Sequence, residues 1–224
     1  VAVIGLLLAG GVDTTTSLTG SVLVHLSRNP EHRRRLIESP DLLETATEEF
    51  LRAFPPAQAM ARTVVAETEI GGCPLKPGDR VLIPWVAANH DPEVFPEPNE
   101  VRLDRDASRH VTFGIGSHRC AGAHMARAMF REMITQVLTR MPDYRVLEEG
   151  LVHYPDRGNQ TGWDAIPAVF TPGRRLGGVS TPVSLQFGAA KRPFELVVTE
   201  AETVAERVLG LPLARSDGGE LPAW

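Results

Sequence analysis

Cysteine is scarce in this chain: its 224 residues hold two, Cys73 and Cys120. Two thiols make no disulfide framework, so the fold must rest on a packed core, and a reducing, cytoplasmic setting suits it. Long basic runs are missing too. Lys and Arg total 23 against 28 Asp and Glu, a net charge of −5, which argues against a nucleic-acid partner. No apolar stretch reaches the roughly 20 residues that span a bilayer, so no membrane crossing is expected. The opening run from Val1 to Val12 has no basic leader and no initial Met, and does not read as a signal peptide. Internal repeats are absent. What is present suffices for folding: 42% hydrophobic and 23% charged residues allow a buried core and exclude wholesale disorder. The length suggests one or two domains. A chain that opens inside an apolar helix and closes just after a turn signal reads as a piece of a longer one.

Residues 1–27 predict one buried helix, its stripe continued by Leu18, Val22 and Leu26 and ended by Asn29-Pro30. Pro30 opens a short basic helix that stops at Ser39-Pro40, and residues 41–53 form a third, closed by Phe54-Pro55-Pro56. The period then changes. Thr63 to Ala66 and Val81 to Ile83 read as strands between glycine and proline turns. Residues 91–110 carry prolines and many charges but little apolar sequence; a loop that long is functional or tightly packed.

A second strong helix is expected from about Ala121 to Arg140. Met125, Met129, Met133 and Val137 recur every four residues, and Phe130, Ile134 and Leu138 widen the stripe. Residues 143–170 read as short strands. Thr171 to Pro182 is a linker by composition, and alternation returns at Leu185, Phe194, Leu196 and Val198, then Leu209, Leu211 and Leu213, with Asp217-Gly218 as a hairpin signal. The chain therefore predicts a mainly α fold with small β-sheets (α+β) over 1–170, a linker over 171–184, and the start of another domain over 185–224.

The sharpest local signal runs from Phe113 to Gly122. A glycine-rich loop delivers Cys120 to a helix start. Glycines let the backbone approach a flat ligand, and the unpaired amides of a helix N-terminus stabilise a thiolate. Such a thiolate can ligate iron. Other readings stand beside it. Cys120 could be a small core residue. It could be a nucleophile with His118 as base, although alternation along an extended loop points the two apart. It could also share zinc with His118, His124 and either His110 or Cys73, though the spacing fits no common structural site. Alone, the loop leaves a haem ligand and a structural cysteine side by side.

Two further patterns accompany it. Ala9-Gly10-Gly11-Val12-Asp13-Thr14 interrupts an apolar helix with small residues, an acid and a hydroxyl. Each glycine costs a helix about 1 kcal/mol relative to Ala, so either something lies close against the backbone or the ladder opens there. Packing through small residues is the alternative. Glu49-Phe50-Leu51-Arg52 places opposite charges at i and i+3, with Glu48 as a competing partner for Arg52. An exposed pair of this kind would mean little.

Phe113, Gly116, Cys120 and Gly122, preceded in order by Glu49-x-x-Arg52 and by the Gly-Gly-x-Asp-Thr helix, resemble cytochrome P-450. The resemblance covers about residues 1–170, roughly the second half of such a domain. It implies haem b with Cys120 as the iron ligand, and a cofactor-binding set of Arg62, Phe113, Gly116, His118, Cys120 and Gly122, in which Arg62 and His118 meet the propionates. It implies that Thr14 hydrogen-bonds dioxygen and Asp13 relays protons, the catalytic pair. Leu6, Ala9, Gly10, Ala57, Gln58, Met60, Asn159 and Gln160 would border a small, mainly apolar organic substrate. Glu49 and Arg52 would be buried and joined by a residue of the proline-rich meander. Relatives carry Arg or His where this chain has Glu100, so Arg102 is the expected substitute. Arg119, Arg127 and Arg131 offer a basic patch for a reductase.

Phe194 to Val198 and Val208 to Leu213, before Asp217-Gly218-Gly219, resemble over about 30 residues the start of the flavin domain in phthalate-dioxygenase-type reductases. That implies a self-sufficient monooxygenase, with electrons passing from NAD(P)H through FMN and a [2Fe–2S] centre to haem and O2, and no membrane or nucleic acid involved. A non-catalytic haem-binding or structural fragment and a peroxide-driven enzyme are the alternatives.

Overall fold

The computed structural model describes residues 2–154, 159–171, 183–185 and 194–196; for 2–9 and the last two segments it describes the backbone alone. The expected hairpin at Asp217-Gly218 and most of the 171–184 linker lie outside the described residues. The chain divides into two compact units, Val1–Gly173 and Arg174–Trp224.

Helix α1 (Ala2–Arg28) runs unbroken through Gly10 and Gly11, so the ladder does not open there. Nothing lies within 4 Å of a Cβ added at either glycine, so no neighbouring group in the described structure presses on the backbone. Pro30 starts α2 (Pro30–Glu38) at the position where a missing N–H costs nothing. α3 (Leu42–Ala53) follows and is amphipathic, with Leu43, Ala46, Thr47, Glu49, Phe50, Leu51 and Arg52 buried.

β1 (Ala59–Thr63) pairs antiparallel with β4 (Arg80–Pro84), and between them β2 (Thr68–Ile70) and β3 (Cys73–Leu75) form a hairpin. The strand expected at 63–66 thus ends at Thr63. Beyond it, Val64 bonds across to Asp79 and Gly78 while Val65 is exposed, so β-branched propensity finds no apolar surface to cover. Positive φ at Gly71 and Gly72 forms the β2–β3 turn. α4 (Trp85–Asn89) follows β4, and residues 91–110 then contain no helix or strand.

α5 (Ala123–Arg140) starts after Gly122. Its buried face is Ala123, Phe130, Ile134 and Leu138, whereas Met125 (69% exposed) and Met129 (44%) lie outside the core. The N-terminal part of the methionine repeat is therefore open, Met133 and Val137 are half-buried, and the residues that widened the stripe are the core. The first unit ends in β5 (Arg145–Val146) paired with β8 (Ala168–Val169), and β6 (Val152–His153) paired with β7 (Trp163–Ala165).

The core joins the C-terminal half of α1 to α3 and α5 through Leu18, Val22, Val24, Leu26, Ala46, Phe50, Phe130, Ile134 and Leu138. The Phe50 and Phe130 rings meet edge to face at 6.2 Å. The Tyr144 hydroxyl donates to the Leu23 carbonyl at 2.8 Å, tying the sheet end to α1. In the second unit, β9 (Val183–Leu185) pairs antiparallel with β10 (Phe194–Leu196).

Candidate functional site: a cysteine loop held by two acids of one helix

Glu49 and Arg52 are both fully buried. One helical turn apart, they form a two-pronged ion pair, Arg52 Nε to Glu49 Oε2 at 2.7 Å and Nη2 to Oε1 at 2.9 Å. Burying such a pair is costly unless its remaining donors and acceptors find partners. They do. Arg52 donates to the carbonyls of Asn89 (3.0 Å), Pro98 (2.8 Å) and Glu100 (3.1 Å). The meander is thereby fastened to α3.

The third partner is a different residue from the one expected. The guanidinium of Arg102 is half exposed and pairs with Glu97, and only its backbone N–H reaches Glu49, at 2.9 Å. Arg105 supplies the buried cation, its Nε donating to Glu49 Oε1 at 3.1 Å. Its other nitrogens donate to the carbonyls of Pro96, Glu97 and Glu100. Glu97 has a positive φ of 53, at the bend that presents these carbonyls.

Glu48 is no partner of Arg52. Its carboxylate takes Arg127 Nε at 2.6 Å and Nη2 at 2.7 Å, and His110 Nε2 at 3.1 Å. Burial opposes its charge, but the hydrogen bonds from Arg127 and His110 prevail and hold the carboxyl at about 2. Arg127 and Arg131 are thus committed to Glu48 and Glu44, and the basic patch expected from Arg119, Arg127 and Arg131 is largely paired. His110 is equally committed, and no cluster of three potential metal ligands occurs among the described residues. Sequence reading missed Arg105 and Asn89, and weighed His110 only as a zinc ligand. Asn89 is fully buried; its side chain donates to Thr112 Oγ1 at 2.7 Å and accepts from the Val111 N–H at 2.8 Å.

These anchors position the loop. The Thr112 hydroxyl donates to the Leu51 carbonyl at 2.7 Å. The Cys120 N–H donates to the Phe113 carbonyl at 2.8 Å, closing the turn, and Gly114 and Gly116 each sit at φ 70, where side chains are strained. Gly116 to His118 form a single 3-10 turn. Cys120 is a free, exposed thiol just before α5, and a Cβ added at Gly122 would stand 3.9 Å from its sulfur.

The other expected residues fall as follows. Asp13 and Gly10 are exposed and Thr14 is half-buried, its hydroxyl donating to the Gly10 carbonyl at 2.8 Å. The side chains of Leu6 and Ala9 lie outside the described residues. Ala57 bridges Gln160, and the Gln58 N–H donates to the Asn159 carbonyl at 2.9 Å, so two segments far apart in sequence form one wall. Met60 is exposed on β1. Gln58 also lines a cavity of about 280 Å³ with His25, Phe54, His153, Thr161 and Trp163. Arg62 and His118 are exposed, and Arg62 gives one N–H to the Ala61 carbonyl.

The family model of cytochrome P450 matches residues 37–142, which include the Glu49–Arg52 pair, the meander and the cysteine loop. Over these residues the chain matches the cytochrome P450 family. The steroid C26-monooxygenase of Mycolicibacterium smegmatis is 36% identical over 167 residues, 75% of this chain and 42% of that protein. The solved cytochrome P450 CYP109Q5 of Chondromyces apiculatus superposes with a TM-score of 0.71 at 31% identity, over 75% of this chain and 44% of its own. The CYP116B5 heme domain of Acinetobacter radioresistens gives 0.68 at 28% identity, over 70% and 38%. The chain thus spans less than half the length of these P450 relatives.

The family implies haem, and the donor set here fits it. Among the described residues the exposed thiol has none of the further ligands a bare metal ion would need. A porphyrin brings four nitrogens and requires one axial protein ligand. The cradle fits as well: Gly116 has open space where a Cβ would be, and Ile115 and Met125 expose apolar surface on either side of Cys120 in sequence.

Proposed function

We propose that this chain is the C-terminal part of a haem-thiolate monooxygenase that inserts one oxygen atom of O2 into a mainly apolar small molecule. The observation that carries the reading is the exposed Cys120 thiol, its amide pinned to the Phe113 carbonyl within a positive-φ glycine turn. Haem bound there supplies the activation of dioxygen, and a thiolate ligand favours O–O cleavage.

This chain's residues hold the cofactor, guide protons and shape the substrate wall. Cys120 would ligate the iron, Phe113, Gly116 and Gly122 would leave room for the ring, and Arg62 and His118 would pair with its propionates. Thr14 now donates to the Gly10 carbonyl; a small rotation of its hydroxyl releases that donor. Asp13, exposed on the preceding position, can then pass a proton to it from solvent. Ala57 and Gln58, tied to Gln160 and Asn159, would form with Met60 a wall of two apolar side chains and three amides. Such a wall suits a hydrophobic substrate with few polar groups, and the steroid named for the Mycolicibacterium relative is of this class.

Electrons would come from NAD(P)H through an FMN and [2Fe–2S] reductase fused after residue 184. The support is the strand-like pattern there and the β9–β10 pair. The parent sequence past Trp224 tests it, since a flavin-phosphate site and a four-cysteine cluster should follow. A reducing, cytoplasmic compartment agrees with two free thiols. The decisive experiment is the reduced carbon-monoxide spectrum of the full-length protein. A strongly red-shifted Soret band, lost together with turnover in Cys120→Ser, is the expected result; retention of both in that variant overturns the reading.

A further inference from the structure

Two neighbouring acids of α3 clamp two different segments. Glu49 faces the meander, and Glu48 faces the approach to the cysteine loop. At His110, the Thr112 N–H donates to Nδ1 at 3.1 Å, so that nitrogen carries no proton. Nε2 faces Glu48 at 3.1 Å from a nearly buried ring. The permanent cation on Glu48 is Arg127. Both carboxylate oxygens grip it, and it also donates to the Ala123 carbonyl at 3.3 Å. Held this way, its guanidinium carbon sits 4.6 Å from the centre of the Phe113 ring. Phe113 is the residue whose carbonyl takes the Cys120 N–H. The two other groups Arg127 touches both adjoin the cysteine: Ala123 follows it by three residues, and Phe113 takes its N–H.

We propose that Glu48 is a positioning residue for the cysteine ligand: it holds Arg127 against Phe113 and offsets that cation's field at the Cys120 sulfur. The proposal rests on the haem-thiolate reading above. A positive field at a thiolate weakens its donation to iron and favours the ferrous state, so an unbalanced Arg127 raises the midpoint potential. Removing Arg127 while Glu48 stays does the opposite.

The test uses the haem-loaded full-length protein and compares the ferric/ferrous midpoint potential of the parent with those of Glu48→Gln, Arg127→Gln and the double variant. The expected result is a rise for Glu48→Gln, a fall for Arg127→Gln, and a value between the two for the double variant. A purely structural role would move both single variants the same way. That outcome, or no movement in either, overturns the proposal. Where a glutamine variant takes up no haem, Glu48→Asp is measured instead, because it keeps the charge and shortens the reach. A smaller upward shift supports the proposal, and an unchanged or lower potential overturns it. A parent without the red-shifted carbon-monoxide band would overturn the haem-thiolate reading and this proposal with it. A parent with the band and unresponsive variants overturns this proposal alone.

Discussion

Arg105 donates through Nε to Oε1 of Glu49 at 3.1 Å, across 56 positions of sequence, and both side chains are buried. The same guanidinium collects three meander carbonyls, so one cation closes the loop of residues 91–110 on α3.

Arg105→Ala leaves Glu49 short of a buried cation and strands those carbonyls. Breaking a buried pair from one side costs about 3–5 kcal/mol, and urea unfolding should show a loss of that order. Arg102→Ala removes a half-exposed pair with Glu97 and should cost under about 1 kcal/mol. Equal losses from the two would mean that Arg105 is not the third partner.

His25 sets a pH dependence. Its pKa is lowered to about 4, first by burial, then by the nearby His32 and Arg28 charges. Unfolded, it takes a proton near its ordinary 6.5. Between these values the unfolded chain binds more protons, so stability falls as pH drops from about 6.5 to about 4. His25→Gln should flatten that slope in denaturation midpoints measured at pH 7 and 5. Glu48 acts in a lower window: its contribution is full above about 4.5 and is lost as pH falls toward 2.

Gly116 sits at φ 70 with open space around it. Gly116→Ala should therefore pay for conformation and not for crowding, about 1–2 kcal/mol, and should lower haem occupancy of the full-length protein. Unchanged melting and haem content would show that the loop does not need this conformation.

Gly162 is the opposite case. A Cβ there would meet Ser17 Oγ and Tyr154 Cε2, each at 2.6 Å. Gly162→Ala should destabilise the protein by about 1–3 kcal/mol through overpacking. Gly10→Ala meets nothing in the described residues and should gain up to about 1 kcal/mol of helix propensity, while lowering turnover if Gly10 borders the substrate. Thermal melts of the two variants should move in opposite directions.

Much of the helical framework was legible because its signals are local. Asn29-Pro30 ends α1 within a residue of the expected place, and Pro30 starts α2, through steric rules that need no partner. The match to cytochrome P450 over residues 37–142 was legible from short motifs at Glu49–Arg52 and Phe113–Gly122. The strand at 59–63 was not, because pairing with β4 set its register and overrode the β-branched run Thr63-Val64-Val65.

By itself the sequence determined the α5 period, the glycines that permit positive φ, and a cysteine at a helix start, since each follows from interactions between near neighbours in the chain. Only the tertiary structure decided which face of α5 is core, which arginine answers Glu49, and that Glu48 reaches Arg127, 79 positions away, instead of Arg52. The physical reason is that a buried charge takes whichever partner packing delivers within hydrogen-bond distance, and spacing along the chain carries no record of that choice.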